Sequence, residues 1–231
     1  HLEIHSRFSL MEGVPAITDL IESATDARMS SLALTDTGGL YGFIPFYKAA
    51  KEAGIRPIAG VVLDEQVILA RNRAGYAQLC RAISAWHKRE GTVFPFVEYL
   101  GGPDLFVIST DMERALALRG GGVSVLLGIE PGTSMERRFL EAKAKGFRPV
   151  AVAPVYYRRC EDVKIHRVLA AIRNNTTLGA LSPKTYHRKA WFRTPTEMKE
   201  LYEGCTEALA NTDWVAERCD LELRFGTPLF P

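Results

Sequence analysis

The sequence has no apolar run approaching the roughly 18 residues that a membrane-spanning helix needs. Its start carries no basic segment leading into an apolar signal core. A soluble, cytoplasmic protein with no membrane partner is therefore expected. Cysteine is scarce: Cys80, Cys160, Cys205 and Cys219 are widely spaced and form no CxxC, which supports neither a zinc ribbon nor a disulfide scaffold and suits a reducing compartment. Charge of one sign is lacking too. The 29 Lys and Arg against 27 Asp and Glu leave a formal net charge of +2, so nothing global argues for a polyanionic partner. There is no internal repeat and no low-complexity tract. The glycine run Gly120, Gly121, Gly122 lacks the lysine and spacing of a P-loop, and reads as a turn before a strand. The first residue is His1 rather than Met, which reads as a trimmed terminus.

What is present is a core-forming composition. With 231 residues, 47% hydrophobic and 24% charged, the chain can bury a large interior as one α/β domain or two smaller ones. Short apolar runs at residues 2–5, 31–35, 57–63, 67–70, 105–109, 123–127 and 149–153 read as strands. Most are continuous rather than alternating, as in parallel strands covered on both faces. Amphipathic stretches at residues 17–24, 43–53, 74–86 and 135–144 separate them. About seven βα units result, which suits a closed TIM-like barrel; an open doubly wound sheet is the alternative. Near the end, Thr194 as N-cap, Pro195 at the first helical position and Glu197 at the third begin a helical hairpin. The expected division is a barrel over residues 1–190 and a helical extension over 191–231, the latter closing on the linker-like "FGTPLFP".

In a parallel barrel the chemistry gathers where strands end. The opening "HLEIHS" sends His1, Glu3 and His5 to one face if it is a strand. Asp36 in "LTDTGG", Val62, Asp111 in "ISTD", and Pro154 with Tyr156 in "APVYY" follow later runs. Around these positions, "HLEIHSRFSLMEG", "ALTDTGGLYGFIPFYKAAKEAGIRPIAG", "ILARNRAGYAQLCRAIS" and "TPTEMKELYEGCTEALANTDWVAERCDLEL" resemble the PHP (polymerase and histidinol phosphatase) domain at the front of bacterial DNA polymerase III alpha subunits.

That resemblance implies a distorted seven-stranded βα barrel with a C-terminal helical extension, in which active members hold two or three divalent metals for phosphoester hydrolysis. It also implies a degenerate site here. The family's H-x-H-S reads Glu3-Ile4-His5-Ser6, and its T-D-H-G reads Thr35-Asp36-Thr37-Gly38. A family glutamate falls on Val62, a cysteine on Asp111, and the closing D-x-H on Pro154-Val155-Tyr156. Glu3, His5, Asp36 and Asp111 remain as residual candidates for one Mg, Mn or Zn ion, but no catalytic residue and no cofactor are expected. Glu3 and Asp36, left without a metal, each need a hydrogen-bond donor, an arginine or a proton. Between Gly60 and Val67 the chain is shorter than the family, either as a short loop or because residues are missing.

Of the remaining histidines, His1 sits at a terminus and reads as solvated, and His87, His166 and His187 have no carboxylate partner nearby in sequence; all four are expected at the surface. Lys184, Arg188, Lys189, Trp191 and Arg193 form the one basic and aromatic patch, a solvated loop or else a surface for DNA or a neighbouring domain. Three functions compete. The favoured one is a non-catalytic structural and docking domain of a DNA polymerase, its partners being the rest of the polymerase chain, a proofreading exonuclease, and DNA through the parent enzyme. The alternatives are a metal-dependent phosphoesterase or 3′–5′ exonuclease, and a free-standing adaptor.

Overall fold

The computed structural model describes residues 1–89 and 94–226. Its strands are β1 (Ser31–Leu34), β2 (Arg56–Leu63), β3 (Gln66–Ala70), β4 (Gly102–Ser109), β5 (Val123–Ile129) and β6 (Pro149–Ala151). They form one curled half-barrel sheet in chain order. The helices are α1 (Ile17–Asp26), α2 (Phe43–Glu52), α3 (Arg73–Lys88), α4 (Phe96–Leu100), α5 (Met112–Gly120), α6 (Met135–Ala144), α7 (Val163–Arg173), α8 (Pro195–Leu201) and α9 (Thr206–Glu217). The linker-like end beyond Gly226 lies outside the described residues.

Two expectations need correction. Six strands are described rather than seven, because the first apolar run is present only as an isolated bridge between Ile4 and Val155. Its hydrogen bonds are divided between two neighbours: His5 N donates to Val155 O (2.8 Å), while Ile4 O accepts from Thr35 N (2.9 Å). The sheet is also mixed. β1 with β2, β4 with β5 and β5 with β6 are parallel, whereas β3 runs antiparallel to both β2 and β4. Only Asp64 and Glu65 join β2 to β3, both with positive φ (42° and 65°), the tight hairpin geometry that matches strand twist. Two residues cannot carry the crossover that a parallel pair needs.

Alternation along each strand creates two faces. One carries Ile58, Val62, Val67, Leu69, Phe106, Ile108, Val150 and Val152, and is covered by Val215, Ala216 and Cys219 of α9 and its end. The other packs on helices: Phe43 and Phe46 of α2 join Leu32 and Leu34, and Met198 of α8, Tyr202 at its end and Ala208 of α9 join Leu127 and Ile129. Tyr202 Oη donates to the carbonyls of Ile129 (2.8 Å) and Val152 (3.0 Å), so burial does not leave it unpaired. The expected capping box is present, with Glu197 N donating to Thr194 Oγ1 (3.3 Å) and Thr194 N to Glu197 Oε2 (2.7 Å).

Candidate functional site

Asp36 follows β1 and is 1% exposed. Its carboxylate accepts from Ser6 N (2.7 Å), Ser6 Oγ (2.9 Å to Oδ2) and Ser9 Oγ (2.7 Å). The turn that brings these donors round depends on Gly13, where an added Cβ would lie 2.0 Å from Ser6 O. The donor required beside Asp36 is thus a pair of serines and a backbone N–H.

His5 is fully buried beside this nest. Its Nδ1 lies 3.2 Å from both Ser9 Oγ and Thr37 Oγ1. Those hydroxyls already donate, to Asp36 and to Glu12 Oε2 (2.6 Å), so His5 Nδ1 is the donor to them. His5 Nε2 faces Glu3 Oε1 at 3.3 Å.

The rings then form a column. His5 and Tyr156 stack with centroids 4.1 Å apart and 7° between planes, and Tyr156 and His187 repeat the same distance and angle on the other side. His166 closes one flank, its ring 5.2 Å from that of Tyr156. His166 Nδ1 donates to Glu12 O (2.8 Å) while Nε2 accepts from His187 N (3.1 Å), so both nitrogens are committed and the ring is held neutral. Burial accordingly lowers the His166 pKa. Desolvation of its ring against Tyr156, then His166 as a neighbour, lowers that of His187 to about 4, although the residue is exposed on its outer side. Burial and the nearby Glu3 raise the Tyr156 pKa well above its ordinary value, which keeps the phenol neutral.

These placements revise the surface reading for His166, which is 0% exposed, whereas His187 is exposed and stacks on Tyr156 at the mouth. His1 is half-buried against Phe192 and within hydrogen-bonding distance of the Arg193 backbone. His87 is exposed and bonds Gly38 O (2.6 Å). No spacing in the sequence links Glu12, His166 or His187 to the opening motif; Ser6, within the H-x-H-S alignment, was the one available signal.

The other predicted positions separate. Asp111 is an exposed N-cap of α5, its Oδ1 accepting from Arg114 N (2.7 Å), and no hydrogen bond joins it to Glu3, His5 or Asp36. Val62 packs among the apolar side chains of the sheet face. Among the described residues, no group of three or more His, Cys, Asp and Glu is placed to hold a metal ion. The basic patch also divides. Lys184, Arg188 and Lys189 are exposed, but Arg193 is 4% exposed, with its guanidinium 4.0 Å from the centroid of the half-buried Trp191 ring and donating to Lys189 O. Trp191 packs beside Tyr156 and Tyr157. Arg193 is therefore a strut inside the fold rather than a surface cation.

Residues 1–104 match the family model for the PHP domain. The whole chain aligns with the DNA polymerase III subunit alpha of Escherichia coli K12, at 30% identity over 273 residues and 23% of that protein. A further relative is the same subunit from Halalkalibacterium halodurans, 28% identical over 268 residues and 24% of its length. The chain thus spans about a quarter of the relatives it matches. Among solved structures, an amidohydrolase from Chromobacterium violaceum with bound sulfate and no metal aligns over 67% of this chain and 86% of its own, at 14% identity and a TM-score of 0.46. The chain carries a PHP domain and is related along its whole length to the alpha subunits of DNA polymerase III.

Proposed function

We propose that the chain is the PHP portion of a DNA-synthesising polymerase and serves it as a non-catalytic structural and docking domain. The observation that carries this reading is the His5, Tyr156, His187 column, which fills the mouth with stacked rings. A divalent cluster needs several free oxygen and nitrogen donors around each ion and an open position for water. Here Asp36 already holds three donors, and His166 has both nitrogens engaged. At the aligned positions, Val62 and Pro154 have side chains without donor atoms. This donor set does not fit Mg, Mn or Zn in a multi-metal hydrolase, and Glu3 with His5 alone is too small a set for one. The divided hydrogen bonds of residues 3–5 support reading the curled sheet as a PHP barrel completed by its first segment.

DNA synthesis would then be performed by other parts of the polypeptide, and the partners are those parts, DNA through them, and a proofreading exonuclease subunit. The test uses the full-length protein from its own gene. Primer extension is expected, together with no manganese-dependent hydrolysis of single-stranded DNA or of a phosphomonoester. Hydrolysis that is abolished by Asp36→Asn would overturn the reading.

A further inference from the structure

Residues 182–189 pass over Tyr156 as a strap between two buried anchors, Leu181 and Ala190. Four contacts hold the strap down. The His187 ring stacks on Tyr156, Tyr157 Oη donates to His187 O (3.1 Å), Arg173 Nη2 donates to Thr185 O (2.9 Å), and His187 N donates to His166 Nε2 (3.1 Å). The last of these is set by the state of one ring nitrogen.

His166 can make that contact in a single form. Its Nδ1 faces the carbonyl of Glu12 and must donate, whereas its Nε2 faces a backbone N–H and must accept. A second proton goes on Nε2, sets one N–H against another and leaves the His187 N–H without its acceptor. The ring is fully buried, so the added charge also has little water to receive it.

The groups around the ring do not make up for that loss. Helix α7 itself brings Arg173, with Arg167 beside Tyr186, and the strap adds Lys184, His187, Arg188 and Lys189 without an acidic residue. The opening segment brings Glu3, His5 and Glu12, but Glu12 already accepts from Arg173 (2.7 Å) and Thr37 (2.6 Å), and Glu3 faces His5. Tyr156 and Tyr157 pack on the ring from the segment after β6. Glu161 and Asp162 precede α7, where Asp162 Oδ2 accepts from Arg159 N (3.0 Å). A cation at His166 therefore meets arginines of its own helix and cations of the strap.

We propose that His166 and residues 182–189 form a proton-sensitive latch: the neutral ring holds the strap on Tyr156, and protonation of Nε2 releases it. Release uncovers the outer face of Tyr156 and lets Lys184, Arg188 and Lys189 move together. The sign follows from linkage, because the ring binds a proton less readily with the latch closed than at its ordinary 6.5, so opening is favoured as pH falls. The inference holds whatever the rest of the polypeptide does.

Hydrogen exchange read by mass spectrometry on the full-length protein from its own gene tests the latch, with rates at each pH corrected for the intrinsic chemistry of exchange. Between pH 7.5 and 5.5, protection of the strap amides is expected to fall about fivefold or more, as one histidine returning to its ordinary pKa on opening dictates. Helix α9 in the same molecules should keep its protection, which separates local release from unfolding. His166→Gln retains an acceptor near Nε2 but cannot titrate, so its strap should lose less protection over this range. His187→Phe retains the backbone N–H and a ring on Tyr156, and its strap should still loosen through His166. Unchanged protection of the strap, an equal loss in α9, the full loss in His166→Gln, or a loss that His187→Phe abolishes would each overturn the proposal. Should His166→Gln fail to fold, the unaltered protein and His187→Phe decide it. Primer extension by the same preparation reports separately on the polymerase reading.

Discussion

The imidazole of His5 lies flat against the phenol of Tyr156, with centroids 4.1 Å apart and planes 7° from parallel. The contact joins the opening segment to the one that follows β6, and it makes this part of the mouth a place for packing. Tyr156 is 7% exposed, and among the described residues no hydrogen bond involves its hydroxyl, so the ring rather than the oxygen does the filling.

Tyr156→Phe should accordingly change stability by less than about 1 kcal/mol, because volume and stacking are kept. Tyr156→Ala should cost about 3–5 kcal/mol, the range for truncating a large buried aromatic. Urea denaturation of the three proteins decides this. Equal destabilisation by both changes would mean that the hydroxyl, not the stack, matters.

Asp36 makes the complementary case for polar packing. Asp36→Ala strands the Ser6 N–H and two serine hydroxyls in a buried site, at a cost on the order of 3–5 kcal/mol. Asp36→Asn retains one acceptor oxygen and lets the Ser6 hydroxyl reorient, so its cost should be about 1–2 kcal/mol. Denaturant midpoints measure both. A variant with unchanged stability but altered turnover would instead mark Asp36 as catalytic.

The mouth also predicts a pH dependence. Burial holds His166 below the ordinary 6.5 and His187 at about 4. The unfolded chain therefore binds more protons than the folded one as pH falls. The stability these two rings contribute is complete above about pH 6.5 and is lost progressively toward pH 4, where charging them sets cations beside each other in the stack. His187→Phe keeps a ring on Tyr156 but cannot titrate. Its unfolding free energy should fall less than that of the unaltered protein between pH 7 and 4.5. Parallel curves would remove His187 from the account.

How much of this was legible in the sequence depends on what each signal encodes. Continuous apolar runs located all six strands, and the Thr194, Pro195, Glu197 signature placed the start of α8. An apolar run has no direction, however, and the antiparallel β3 was written only in the two-residue connection at Asp64 and Glu65. At the site, the resemblance pointed to Val62, Pro154 and Tyr156, and the structure places Val62 and Tyr156 in apolar clusters. The company of Tyr156 was not legible, because His166 and His187 reach it through the packing of α7 and the loop after it. The Ser6 and Ser9 nest around Asp36 likewise exists only once the turn ending at Gly13 has formed.

Arg193 and the three exposed cations near it offer the sharpest separation of structure from surface. The Arg193 guanidinium is buried, stacks on Trp191 and donates to the carbonyls of Lys189 and Trp191, with no carboxylate partner in an ion pair among the described residues. A lysine has neither the planar face for the stack nor the fork for two carbonyls. Arg193→Lys should therefore destabilise nearly as much as Arg193→Ala, by about 1–3 kcal/mol. Changing Lys184, Arg188 and Lys189 together to Ala should alter stability by no more than about 0.5 kcal/mol, as solvated side chains do. The same triple change should leave single-stranded DNA binding by the chain weak and little altered, since a net charge of +2 gives little long-range attraction and Trp191 is packed inward rather than offered to a base. Urea denaturation and a salt titration of DNA binding check the two halves. Tight, salt-sensitive binding that the triple change abolishes would make the loop a nucleic-acid surface after all.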